Sequence, residues 1–430
     1  MNVINLDVKC TKLANGVRII TSRVPHVQSI AIGVWVGAGS RYETRNVSGI
    51  SHFIEHLLFK GTTTRSAREI SQAIEGKGGY FNAFTQEDST CYYGRVAYEH
   101  AWSVLEVLGD MYFNSRFDAL DIEKERGVII EEMLMYQDHP EHLVQDILID
   151  MLWKGHNLGR PVIGNVETIE KMSRDQVCAY KRKKYVLENL IFAFAGNLEH
   201  RTCIKMVREL VKKRRAGSEP CYRLFTRPTT REELTFRKKE IEQTHMAMGF
   251  RLFGRFDEKK YALKVLNVIL GENMSSRLFQ VIREDLGLAY SISSTFQLFA
   301  ETGALVISAG IEKSKYGLAT EATIQELVRL KKELVGPEEL AMAKEYIIGQ
   351  TRLALEGTSG QMMWLGENLL NYNHFIQPEE VVQKVKAVSA EDIRKIAEAI
   401  LTNSSISLAF VCPTETKTES EKIRGYIAGL

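Results

Sequence analysis

At 430 residues, 44% of them apolar and 26% charged, the chain is long enough for two or more hydrophobic cores and has an ordinary globular balance. A formal net charge of +2 gives no electrostatic case for a nucleic-acid partner, and no apolar run approaches a membrane span. Residues 1–30 carry Asp7, Lys9, Lys12 and Arg18 without a continuous apolar stretch, and the six Cys form no C-x-x-C pair. No signal peptide is therefore expected, and reduced thiols in a cytoplasm are.

In chain order, residues 11–24 alternate polar and apolar around Asn15-Gly16, which predicts a hairpin. Residues 29–36 are a near-continuous apolar run ending at Gly37-Ala38-Gly39, which predicts a buried strand. Next comes His52-Phe53-Ile54-Glu55-His56, led in by Gly49-Ile50-Ser51, extended by Leu57-Leu58-Phe59 and stopped at Lys60-Gly61-Thr62. His52 and His56 are four apart, so on a helix both imidazoles leave one face, one turn apart, and can grip one small cation. Glu55 then lies beside that cation, placed to take a proton from water. H-x-x-E-H is the inverse of H-E-x-x-H, and two His with one carboxylate and an open position is the pattern of catalytic zinc. The same residues also suit an ordinary amphipathic helix with polar-face histidines, so flanking signals and a third ligand must decide.

A helix over 67–76 and strands over 79–85 and 91–96 follow, then helices over 98–113 and 121–136. On the last of these, Glu125 and Glu132 are seven apart, two turns along one face, while Glu131 points about 100° away from Glu132 toward solvent. That face offers the third ligand. A helix over 142–152, a loop over 155–161, a strand over 189–195 and a helix over 200–213 complete the first half.

Residues 212–233 change character, with a basic run, Gly217, Pro220 and Pro228, and mark a domain boundary. The basic clusters 181–184 and 212–215 have no interleaved aromatics, so solvated helix and linker faces are expected rather than a nucleic-acid surface. The second half repeats the first in outline: a strand over 246–253, a helix over 261–270, strands over 289–298 and 303–310, and helices over 316–333 and 337–356. Residues 271–279 fall near where the motif helix would recur, without a His-Glu-His set. The expected class is α+β: two structurally related domains, each a largely antiparallel sheet packed with helices. The domains expected are 1–212 with the metal, 213–233 as linker and 234–430 without metal ligands.

These motifs resemble the zinc metallopeptidases of the pitrilysin and mitochondrial-processing-peptidase family (M16), in their short bacterial form. There, H-x-x-E-H is followed by a glutamate about 76 residues on and preceded at seven residues by another; His56 to Glu132 is that spacing, and Glu125 matches the other glutamate. The resemblance implies His52, His56 and Glu132 as ligands of one Zn2+ per chain, Glu55 as general base, and Glu125 as a group that orients a ligand. It covers nearly the whole chain. Asn82-Ala83-Phe84-Thr85 and Cys91-Tyr92-Tyr93 are similar to the family's substrate-side strand pair, and residues 135–140 and 159–164 follow its bacterial pattern. Ser275-Ser276-Arg277-Leu278-Phe279 through Gly287-Leu288-Ala289-Tyr290-Ser291 is similar to its second hallmark, whose Arg and Tyr map onto Arg283 and Tyr290. One departure is Asp88, where the family usually carries Glu; it leaves the charge and shortens the reach.

The resemblance thus implies the metallohydrolase fold shared by LuxS and processing peptidases, a cytoplasmic bacterial setting, and a metalloendopeptidase that hydrolyses peptides or unfolded segments. Tyr290, with Arg283 ranked below it, is the family's candidate donor to the oxyanion; a core strand tyrosine and a surface salt bridge are the plain readings of the same two residues. Asn82, Ala83, Phe84 and Thr85 suggest an edge strand that takes an extended peptide as an added strand. The partners implied are the peptide and a second subunit, identical or related, with no nucleic acid and no membrane. Two other readings stand beside this one: a non-catalytic or partner-dependent subunit of a heteromeric processing peptidase, and a dedicated maturase of one peptide precursor.

Overall fold

The computed structural model describes residues 5–212, 214, 217–218, 220–226, 234–414 and 417–430. Of the expected linker, residues 213, 215–216, 219 and 227–233 lie outside the described residues. In chain order the elements are β1 (Val8–Lys12), β2 (Arg18–Arg23), β3 (Ser29–Val36), α1 (Ile50–Leu58), α2 (Ala67–Glu75), β4 (Tyr80–Thr85), β5 (Thr90–Ala97), α3 (Ala101–Asn114), α4 (Ala119–Asp138), α5 (Pro140–Leu152), α6 (Val166–Lys171), α7 (Arg174–Lys184), β6 (Leu190–Gly196) and α8 (His200–Val211). The second series is β7 (Leu234–Lys238), β8 (Gln243–Leu252), α9 (Lys260–Asn267), β9 (Ala289–Leu298), β10 (Gly303–Glu312), α10 (Tyr316–Lys332), α11 (Pro337–Ala354), α12 (Thr358–Tyr372), α13 (Pro378–Ala387), α14 (Ala390–Ile400), β11 (Ile406–Cys412) and α15 (Lys417–Ala428). Wide, π-type turns occupy Val268–Glu272 and Phe279–Asp285.

The α+β class holds, with one sheet in each of two compact units. The first sheet runs β1-β2-β6-β3-β5-β4 and the second β7-β11-β8-β10-β9. Pairing is antiparallel except for β2 with β6 and β7 with β11, which are parallel. Leaving β1 aside, the two sheets have the same order and directions, and the elements follow one another along the chain in the same sequence. By that order the counterpart of α1 is α9, so the motif helix recurs before residues 271–279, not within them.

The units are not the contiguous stretches 1–212 and 234–430. The first comprises Met1–Leu134, Arg160–Arg223 and Thr351–Glu379; the second comprises Met135–Gly159, Leu224–Gln350 and Glu380–Leu430. Chain order places α5 with the first repeat, yet it packs on β8 and β11 of the second sheet; α12 belongs by order to the second repeat and packs on β2, β3 and β6. An apolar helix stripe requires cover but does not name the sheet that provides it.

In the first unit, β3 alternates Ile30, Ile32, Val34 and Val36 toward α1, α3, α7 and α8, and Ala31 and Trp35 toward Met362, Leu365 and Leu369 of α12. Both faces are covered, which is why its sequence reads as a continuous apolar run. The hairpin turns at Asn15-Gly16, where Gly16 has φ 93°. In the second unit, α5 places Val144, Leu148 and Leu152 against Ala247, Ala304, Ala409 and Val411. The 181–184 cluster is not a wholly solvated face: Lys184 is buried, its ammonium donating to the Cys221 carbonyl at 3.3 Å, and burial pushes Lys181 down to about 8. No described helix is long and apolar enough to cross a membrane.

Candidate metal centre

The motif folds as the helix its flanks predict. Gly49 stands at its start with φ 89°, where a Cβ would fall 2.5 Å from the Ile163 carbonyl oxygen, so glycine is required there. The Glu43 carboxyl accepts from the Gly49 and Ser51 N–H groups at 2.8 and 2.9 Å, supplying partners to the first turn. Its burial pushes its pKa up to about 7 against those hydrogen bonds. Ile50, Phe53, Ile54, Leu57 and Leu58 are buried in the core, which leaves His52, Glu55 and His56 on the open side. The turn closes with Phe59 N–H to the His56 carbonyl and Lys60 N–H to that of Leu57.

Helix α4 meets this face. It buries Ile122, Glu125, Ile129 and Met133, so Glu125 stands inside an otherwise apolar stripe, while Glu131 is exposed. His52, His56 and Glu132 are the one group among the described residues whose ligand atoms could hold a metal, all within 4.8 Å of one another. The Glu132 Oε2 lies 3.6 Å from His56 Nε2 and 4.0 Å from His52 Nε2. Neighbouring ligands about a tetrahedral ion with bonds of about 2.1 Å are roughly 3.4 Å apart, so the donor set fits zinc in number and type and stands somewhat wider than that spacing. Burial, then the charge of His56, pushes His52 down to about 4, leaving it neutral and able to donate a lone pair.

Two further contacts complete the cluster. Glu125 Oε2 lies 3.2 Å from His56 Nδ1, the placement expected of a carboxylate that orients a histidine ligand. Thr85, the last residue of β4, donates from Oγ1 to Glu55 Oε2 at 2.5 Å. Glu55 is held above the usual carboxylate range by burial, aided by Glu132 and opposed by the Thr85 hydrogen bond and His56. Strand β4 is an edge strand; its Asn82 is exposed, with Oδ1 accepting from the Ala83 N–H at 2.8 Å.

Arg283 and Tyr290 belong to the second unit, where they are brought together. The Arg283 guanidinium lies 5.8 Å from the Tyr290 ring centre and 4.6 Å from that of Phe279. Tyr290 is 74% exposed on the edge strand β9, so it is not a core strand tyrosine. Asp88 accepts from the buried Arg41 at 2.8 Å, which gives that side chain a structural partner. Glu43 and Lys60, which meets Glu125 at 2.8 Å, carried no sequence signal, because nothing local marks a carboxylate or an ammonium for a distant contact.

The description "Insulinase (Peptidase family M16)" matches residues 18–166, and "Peptidase M16 inactive domain" matches residues 171–347. A Bacillus subtilis protein named as an uncharacterized zinc protease, YmxG, is 38% identical over 93% of this chain and 97% of its own length. The chain belongs to peptidase family M16. Another relative, named as an uncharacterized zinc protease of Mycobacterium leprae, is 37% identical over 95% of this chain and 92% of its own. The crystal structure of a protease from Helicobacter pylori superposes with a TM-score of 0.90 at 20% identity, covering 95% of this chain and all of that one, which extends the likeness to the fold.

Proposed function

We propose that this M16 chain is a zinc-dependent endopeptidase acting on peptides or extended, unfolded segments. The observation that carries the reading is the convergence of His52, His56 and Glu132 from two helices, with the Glu55 carboxylate beside them. Those three side chains would hold zinc, which would supply Lewis acidity toward a peptide carbonyl and a water molecule.

The remaining steps fall to the chain's own groups. Thr85 holds the Glu55 carboxylate through Oε2, and that carboxylate would take the proton of the attacking water and later give it to the leaving amine. A carboxylate of raised proton affinity suits both halves of that task. The free edge of β4 can receive an extended peptide through backbone hydrogen bonds, which favours sequence-tolerant binding. Tyr290 would donate to the developing oxyanion, with Arg283 beside it, and both would serve the zinc of a second chain in a two-fold dimer, homomeric or with a related subunit. All six cysteines are free thiols, in keeping with a cytoplasmic setting. A non-catalytic subunit would have no use for Glu55 beside an intact ligand set.

The test is metal analysis of the purified chain with cleavage of a mixed peptide library, for the natural sequence and for Glu55→Gln. We expect about one zinc per chain in both, and turnover lower in the variant by a factor on the order of 10² or more. Equal turnover in the two would remove Glu55 from the base role.

A further inference from the structure

We infer that Lys60 is a positioning residue for the metal centre, acting on His56 through Glu125; its consequence for zinc rests on the function proposed above. Lys60 follows His56 by four residues, just past the end of α1, so both side chains reach the same carboxylate on α4. Its ammonium meets Glu125 Oε1 at 2.8 Å, while Glu125 Oε2 lies 3.2 Å from His56 Nδ1. The Glu125 side chain is only 7% exposed, and a carboxylate so placed needs a counter-charge and hydrogen bonds on both oxygens. Lys60, at 37% exposure, provides the counter-charge from the rim.

Two consequences follow from that pairing. A carboxylate oxygen only accepts, so His56 donates from Nδ1 to Glu125, and Nε2 is the nitrogen turned toward Glu132, at 3.6 Å. Engaging Oε1 also turns Glu125 away from the ligand group: of the carboxylates beside the two histidines, Glu132 joins the set of metal-binding atoms and Glu125 does not. Lys60 thereby settles both which nitrogen of His56 faces the metal and which glutamate stays out of its ligand shell.

The experiment compares the full chain with Lys60→Met, which keeps the stem and removes the charge, and with Lys60→Arg, which restores it. The ring-nitrogen signals of His56, recorded on zinc-free protein with labelled histidine, report the tautomer without any metal. We expect Nδ1–H in the natural chain, loss of that preference in Lys60→Met and its return in Lys60→Arg. Zinc affinity, measured by competition with a chromogenic chelator, should fall about 10- to 100-fold in Lys60→Met and recover in Lys60→Arg. A loss through general destabilisation would not move the tautomer, so thermal unfolding of each zinc-free variant is recorded beside it. An unchanged tautomer in Lys60→Met, or zinc affinity within about twofold of the natural chain, would overturn the assignment. Absence of zinc binding by the natural chain would instead sink the metal reading, and the tautomer would still judge Lys60.

Discussion

Strands β2-β6-β3-β5-β4 of the first unit and β7-β11-β8-β10-β9 of the second share order and direction, yet among the described residues the one group that could hold a metal lies in the first. The helix that follows the central strand makes the difference. In α1 the open side carries His52, Glu55 and His56; in α9, Tyr261, Ala262, Leu263, Val265, Leu266 and Asn267 are all buried. Polar groups near α9 satisfy one another: Asn267 donates to Glu272 at 2.7 Å and accepts from Ser294 at 2.8 Å. Arg277 pairs with Glu339 on α11 through two bonds of 2.7 Å. Among the described residues, these groups include no set whose atoms could hold a metal. The fold is therefore a support for chemistry that a few side chains on one helix either provide or omit.

The largest expected effect comes from making the first unit resemble the second. Glu132→Gln should lower zinc retention after dialysis by a factor on the order of 10², and peptide turnover with it, because a ligand is lost outright. Glu131→Gln, exposed one residue earlier, should retain the metal. Equal zinc in the two variants would take Glu132 out of the ligand set. Next is a mixture of Glu55→Gln with Tyr290→Phe, which asks whether the second unit serves the zinc of another chain. With subunit exchange verified by mass spectrometry, half of the dimers should be mixed, each with one whole site, and activity should return to roughly a quarter of the natural level. No recovery would exclude action in trans.

Smaller effects separate the two helix-on-sheet contacts. A methyl at Gly366 of α12 would sit 2.1 Å from Trp35 Nε1, against a rigid ring. For a methyl at Gly249 of β8 the nearest atoms would be the side-chain ends of Leu152 and Leu148, at 2.9 and 3.1 Å. Gly366→Ala should cost about 1–3 kcal/mol in denaturant unfolding, and Gly249→Ala less than about 1 kcal/mol. The reverse ranking would contradict the packing described for α12.

A last effect, set apart by its pH dependence, concerns Asp146 on α5, which burial raises from 3.8 to about 6 while His142 pulls it back. A raised carboxyl binds its proton more tightly when folded, so its contribution to stability is complete below about pH 4 and is lost as pH rises through about 6. Asp146→Asn should match the natural chain at the low end and gain on it, by on the order of 1 kcal/mol, by neutral pH. A difference that stays flat across a pH series would count against this burial cost.

Features written in local periodicity are legible in the amino-acid order itself. His52 and His56 four apart, Glu125 and Glu132 seven apart, the apolar run of β3 and the turn at Asn15-Gly16 each follow from the 3.6-residue helix or the two-residue strand repeat, which neighbouring residues set among themselves. The repeat in the second half can be read for the same reason. Only tertiary structure decided that α5 completes the second unit and α12 the first, since an apolar stripe is equally satisfied by any apolar face that reaches it. The same holds for Thr85 on Glu55, Lys60 on Glu125, Asp88 on Arg41 and Glu43 beneath α1, contacts that join residues 6 to 65 positions apart in the chain. Their partners are chosen by where helices and strands come to rest, and a single side chain without a period leaves no trace of that choice in the sequence.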